Sequence, residues 1–295
     1  MKNKALTLTI IANMTANYSE GLGNIASVQK IFKNGRVYAT RSRESLKNAI
    51  IVQSGMYDDL KTEVHGATQK YVDEKLNASN CRALEGGYMN TSDSTTIRKS
   101  SFYLTDAVSC DEFVNETRFH NNLYLATNYA DNNGLNLQIN TDAREAGLMP
   151  YQYEFDKSMK QYSITFDLDK VGVDENFNSE ASNEEKIDRV ISILEAIREL
   201  SLTVRGNLDN SEPLLIFGGI GKYKTHYFEN VVRVKNNELE ITEDLKSRLK
   251  DDYKVALLKG NNFINEDEII KELNPISMSE FFNGLELDVR SYYEE

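Results

Sequence analysis

Tyr151-Gln152-Tyr153-Glu154-Phe155, followed beyond Lys157-Ser158 by Tyr162-Ser163-Ile164-Thr165-Phe166-Asp167-Leu168, is the stretch that decides the fold class. Large apolar and polar residues alternate in both halves, the period of a strand with one buried face, and the short break between them predicts a β-hairpin. Downstream, Ser182 with Glu185 three residues on makes a capping box. Ile187, Val190, Ile191, Leu194 and Ile197 then mark one face of a long helix. Leu214 to Phe217 reads as a short buried strand entering Gly218-Gly219-Ile220-Gly221-Lys222. Upstream, Leu6, Leu8 and Ile10 alternate with Thr7 and Thr9 as an opening strand, and Leu46, Ala49, Ile50 and Gln53 have helical spacing.

Strand, helix, strand, strand, helix, strand is the order of an α+β fold with a modified RNA-recognition (ferredoxin-like) antiparallel sheet. Two further strands are expected, at Leu135, Leu137 and Ile139 and at Val231 to Val234. Between Asn77 and Asp111 the composition turns polar and small, with Gly86-Gly87 and the run Thr91 to Thr96, which predicts an exposed loop or protruding hairpin.

The chain has 295 residues, 34 basic and 46 acidic, for a net charge of −12. That balance argues against indiscriminate coating of duplex DNA, which needs extensive phosphate neutralisation. Lys30, Lys33, Arg36, Arg41, Arg43 and Lys47 oppose the trend, six cations against Glu44 alone. They follow an Asn/Ser/Gly loop (Asn17, Ser19, Gly21, Gly23, Asn24) and end in Arg41-Ser42-Arg43-Glu44-Ser45-Leu46-Lys47, which reads as a helix opening. Cations and hydroxyls at a helix start suit a phosphate backbone, so any nucleic-acid contact is expected in a local groove.

Cys81 and Cys110 sit in no metal-ligand spacing, and a reducing cytoplasm is the expected setting. His65, His120 and His226 are scattered, so structural or surface roles are expected for them and no metal or other cofactor. Asp58-Asp59 and Asp251-Asp252 read as surface charge. Met1 to Ala12 is read as a strand rather than a leader, since Thr7 and Thr9 interrupt the apolar run. No uncharged apolar run is long enough to cross a bilayer. Gly218, Gly219 and Gly221 with Lys222 either admit phosphates to the backbone or form a tight turn. A nucleotide-triphosphate loop is excluded, because Ile216 stands where its first glycine belongs and Tyr223 where Ser or Thr would hold magnesium.

Four segments in order resemble the backbone subunit of the type I CRISPR surveillance complex Cascade, specifically the type I-B branch called the DevR autoregulator family. They are Arg41 to Ile50 after the opening strand, Arg98 to Ala107, Met149 to Phe155 with Ile164 to Gly172, and Phe217-Gly218-Gly219. The resemblance spans about Ala5 to Val234. It implies a hand-shaped fold with residues 1–80 as the first part of the palm, 81–150 as an inserted thumb or finger region, and 151–295 as the rest of the palm with C-terminal helices. It also implies a non-catalytic protein that polymerises along crRNA and presents it for pairing. The implied partners are crRNA, target DNA, further copies of the chain, and the large, small and guide-handle-capping subunits, with no membrane. The expected guide-binding set is Arg41, Ser42, Arg43, Ser45 and Lys47, with Lys30, Lys33, Gly218, Gly219, Gly221, Lys222, Arg98 and Lys99 beside it. The rival readings are a DNA-binding transcriptional autoregulator, a metal-dependent ribonuclease, and a filament protein without nucleic acid.

Overall fold

The computed structural model describes residues 5–18, 25–57, 60, 71–91, 95–204, 206–250 and 253–294. The loop positions Ser19, Gly21, Gly23 and Asn24, the pairs Asp58-Asp59 and Asp251-Asp252, His65, and Ser92 to Ser94 of the polar run lie outside the described residues. The chain divides into two compact units, one from Met1–Met14, Arg41–Asp111 and Ser158–Glu295, the other from Thr15–Thr40 and Glu112–Lys157. Residues 81–111 fall in the first unit, and 15–40 with 112–157 in the second.

The first unit holds β1 (Ala5–Thr15), α1 (Arg43–Gln53), β2 (Phe102–Leu104), β3 (Ala107–Ser109), β4 (Lys157–Asp167), α2 (Asn183–Arg198), β5 (Pro213–Gly221), β6 (Lys254–Leu257) and α3 (Met278–Glu294). Its strands lie in the order β6-β5-β1-β4-β3, with β2 also paired to β4. Counting β2 and β3 as one interrupted strand, the order β5-β1-β4-β3 is that of a ferredoxin-like sheet. Ser42 caps α1 and Ser182 caps α2, each hydroxyl accepting from the backbone N–H three residues on. The capping box at α2 is half made, because the Glu185 carboxylate turns to Arg82 and Arg189 instead.

Both faces of this sheet are covered. Leu6, Leu8 and Ile10 pack with Leu46 and Ile50 of α1, Ile187 and Leu194 of α2, and Phe281 and Val289 of α3. On the opposite face Ile11, Leu215 and Phe217 pack under Phe228, Val232 and Phe263. The threonines of β1 point to that second face and form a hydroxyl seam: Thr7 bonds Thr165 at 3.1 Å and Thr9 bonds Ser163 at 2.8 Å. His226 Nδ1 meets Thr165 Oγ1 at 2.9 Å, and since that hydroxyl donates to Thr225 O, the imidazole supplies the hydrogen. An open sheet face for base stacking, the usual use of an RNA-recognition sheet, is thus absent here among the described residues.

The predicted hairpin at 151–168 is not formed. Tyr151–Phe155 belongs to the second unit, paired antiparallel with Glu116–His120 and parallel with Ile25–Ala26, whereas β4 belongs to the first. Lys157-Ser158 carries none of the glycine or asparagine chemistry that a two-residue reversal demands, so the alternation marks two strands but no turn. A hairpin does form at Lys30–Lys33 and Arg36–Arg41, where Asn34 and Gly35 both take positive φ. Leu135 and Leu137 are not in a strand. They lie between helices Leu123–Asn133 and Asn140–Glu145 and pack on Ala126, Ala130 and Ala146. Of Val231 to Val234, only Val234 enters a strand, a two-residue one.

Within the polar stretch Tyr88–Asn90 and Thr96–Arg98 pair as the expected hairpin, with Met89 and Ile97 exposed, while the base of that hairpin is packed. Glu85, 1% exposed, accepts from Arg98 Nη2 at 3.2 Å, Arg189 Nη1 at 2.8 Å, the backbone N–H of Gly172 at 2.6 Å and the Ser101 hydroxyl. Arg98 also donates to the carbonyls of Leu84, Val173 and Lys170, and Arg189 to those of Ala78 and Ser79. Arg98 is therefore a buried tie.

Glu85→Ala leaves the buried Arg98 without its carboxylate and Arg189 with Glu185 alone, and is expected to cost about 3–5 kcal/mol, measured as a lowered denaturant midpoint with an unchanged slope. His226 sets an acid-side dependence. Burial lowers its pKa below the ordinary 6.5, opposed by Glu229, so the folded state binds the proton less readily than the unfolded chain. Its contribution is complete above about pH 6.5 and is lost as pH falls through the depressed value. His226→Gln is expected to flatten the fall in melting temperature between about pH 7 and 5.

Candidate nucleic-acid interface

Four basic residues lie in or touch one stretch of the first unit, Lys99 to Asp106, which contains the edge strand β2. Lys99 is in it and exposed. Lys47 donates to Ser100 Oγ at 3.0 Å and Gly86 O at 2.8 Å, with its ammonium 4.7 Å from the Phe102 ring centroid. Lys224 lies 5.2 Å from the Tyr103 centroid and 2.8 Å from Asp167 Oδ2, and that hydrogen bond raises its pKa. Arg43 gives its backbone N–H to Asp106 Oδ1 at 2.8 Å and leaves its side chain 64% exposed beside Glu44, whose hydrogen bond raises the guanidinium pKa.

Behind this rim the pattern is structural. Arg41 is 5% exposed and donates to Ser45 Oγ at 2.9 Å; burial lowers its pKa and Asp209 opposes that shift. The first turn of α1 is filled by its own chain, since Asp106 takes the Arg43 N–H and Ser42 Oγ takes that of Ser45. A carboxylate already occupies the place where the helix dipole would favour a phosphate. Four cations face Glu44, Asp106 and Asp167, so the rim is nearly charge-balanced. It can bind phosphate through directed hydrogen bonds from Arg43, Lys99 and Lys224 more than through a strong local field. Among the described residues no group of three or more His, Cys, Asp or Glu is placed to hold a metal ion, and no helix is long and apolar enough to cross a membrane.

A family model described as CRISPR-associated negative auto-regulator DevR/Csa2 matches residues 6–244. The chain belongs to the DevR/Csa2 family. A solved chain titled "CRISPR RNA-guided surveillance complex, pre-nicking" is similar over 87% of this chain and 93% of its own, with TM-score 0.53 and 10% identity. Another, titled "CRISPR RNA-guided surveillance complex", covers 86% and 90%, with TM-score 0.48 and 13% identity. At these identities the likeness concerns the fold. None of the curated proteins compared matches this chain.

In this DevR/Csa2 protein the thirteen residues singled out from sequence separate into distinct places. Arg43, Lys47 and Lys99 come together on the edge stretch, with Ser42, Ser45 and Arg41 one layer behind. Lys30 and Lys33 are in the second unit, where Lys30 pairs with Glu154 at 2.6 Å. Gly218, Gly219 and Gly221 form no loop: all three lie in β5, registered against Leu8, Thr7 and Ala5 of β1. A Cβ at Gly218 would strike Thr7 O and Leu8, and one at Gly221 would strike the Tyr253 hydroxyl, so close packing explains these glycines. Lys222, just past the strand, is exposed, as is Tyr223.

Lys224 and Tyr103 were not singled out from sequence. The one available signal was the Lys222-Tyr223-Lys224 triplet, an aromatic between two cations directly after a buried strand. Gly218→Ala is expected to destabilise by about 1–3 kcal/mol or more by overpacking. Melting measurements with and without RNA check it: the loss should be the same in both, whereas a phosphate-cradling role requires a loss of affinity out of proportion to stability.

Proposed function

We propose that the chain is the guide-RNA-binding backbone subunit of a type I-B CRISPR surveillance complex, a non-catalytic scaffold whose copies line up along crRNA and present it for pairing with target DNA. The observation that carries this reading is the gathering of Arg43, Lys47, Lys99 and Lys224 on the single stretch Lys99 to Asp106, in a family member whose neighbours by fold are titled RNA-guided surveillance complexes. Cations that bond phosphates while leaving bases unread suit a subunit that must accept any guide sequence. Hairpin Ser201–Val204 with Asn207–Asn210 is our candidate for the element that reaches the next copy, since Leu208 is 74% exposed while Asp209 is buried. The other partners proposed are the remaining subunits of the complex.

Co-expressed with those subunits and a repeat–spacer transcript, the protein is expected to copurify with RNA of uniform length. Arg43→Ala with Lys224→Ala should weaken RNA binding equally for all spacer sequences. It should also reduce the slope of log K against log salt by about 1.4, the counterion release of two single-strand phosphate contacts. An unchanged slope removes the edge stretch from the interface. Metal-dependent cleavage of the bound RNA, abolished by one Asp→Ala change, would instead establish the ribonuclease reading.

A further inference from the structure

The second unit carries an aromatic stack that the phosphate-binding rim does not use. Tyr151, Tyr153 and Phe155 alternate along the central strand of its three-stranded sheet, and His120, Arg118 and Glu116 stand directly opposite them on the neighbouring strand. Residues paired in this way share one face of a sheet. The His120 ring lies 5.4 Å from the Tyr151 centroid and 4.9 Å from that of Tyr153, tilted by only 16° and 18°. Centroids this close with near-parallel planes mean offset stacking, because rings lying side by side in one plane would be farther apart. Tyr18 closes one end, edge-on to Tyr153 at 5.9 Å. At the other end Tyr151 opens the strand and is 40% exposed.

Next along the same face, the Arg118 guanidinium lies 3.4 Å from the Phe155 ring centroid and 3.2 Å from Glu116 Oε1, with its side chain 42% exposed. A row of stacked rings closed at one end and exposed at the other is extended by another flat π-system. A cation on the same face suits an occupant that is both aromatic and anionic. Glu116 already pairs with Arg118 and would have to yield part of that contact. Such a surface fits a short single strand, one base on Tyr151 and the phosphate of a neighbouring nucleotide further along the face towards Arg118, about 13 Å away at the rise of a strand.

We propose that this face of the second unit binds single-stranded nucleic acid by stacking a base on Tyr151, at a site separate from the cationic rim of the first unit. The contact is sequence-tolerant, since every base has a π-face, and less sensitive to salt than phosphate binding. The chain has no tryptophan, so quenching of its tyrosine emission is an available readout.

The test uses the full chain and a uridine 12-mer, its deoxythymidine counterpart and an abasic 12-mer, titrated at high and low salt. Tyr151→Leu keeps an apolar side chain of similar bulk without a ring, and Tyr151→Phe keeps the ring; melting curves establish that both variants fold. Tyr151→Leu is expected to weaken binding of the base-bearing strands roughly 5- to 150-fold. Tyr151→Phe should bind as the parent does, and the abasic strand should bind weakly to all three. A difference between the uridine and thymidine arms would identify which nucleic acid the site takes. Unchanged affinity in Tyr151→Leu, or equal affinity for abasic and base-bearing strands, overturns the assignment and leaves the face to a protein partner. Arg43→Ala with Lys224→Ala alters the salt slope and not the Tyr151 effect, so failure of this site and failure of the rim give different results.

Discussion

One buried carboxylate organises the first unit. Glu85 bonds Arg98, Arg189, Gly172 N–H and Ser101 together, in a place where neither the acid nor either guanidinium is more than 8% exposed. Coulomb attraction among such groups is strong only because water is excluded, and removing Glu85 strands Arg98 and leaves Arg189 to Glu185. Through Arg98 the network holds the segment leading into β2, and through Arg189 it ties α2 to the stretch around Ala78 and Ser79. The edge strand on which the cations gather is consequently fixed in place before any ligand arrives.

This organisation sets the interface. The sheet's second face lies under Phe228, Val232 and Phe263, so bases cannot spread across it. The edge offers Tyr103 and Lys224 on one side of β2, with Lys47 over the buried Phe102 ring on the other. Lys47 serves the fold, by tethering the edge to α1, while Arg43, Lys99, Lys222 and Lys224 present their charges outward. Glu44, Asp106 and Asp167 balance most of the charge of Arg43, Lys47, Lys99 and Lys224, so the rim has little net charge of its own.

Strands β1, β4 and β5, helices α1 and α2 and the Ser182 cap were legible because alternation, helical spacing and capping each leave a local signature. Contacts between distant residues were not. Arg98 and Glu85 look like surface charge in a polar stretch, since burial of an ion pair has no local pattern. Gly218 and Gly221 look like a loop, since a glycine required by a neighbouring strand's backbone reads the same as one required by a turn. The break at Lys157-Ser158 looked like a reversal because two good strands abut there. Arg41 and Arg43, two residues apart, have opposite fates for the same reason: one is buried with its guanidinium on the Ser45 hydroxyl, and the turn into α1 exposes the other.

Photocrosslinking of the assembled subunit to a guide RNA carrying 4-thiouridine, with the attached peptides sequenced by mass spectrometry, tests the central claim most directly. Crosslinks at Lys99 to Asp106 and Lys222 to Lys224 are the predicted result. RNA attached solely to the layer at Phe228, Val232 and Phe263, with the edge stretch unlabelled, would contradict it.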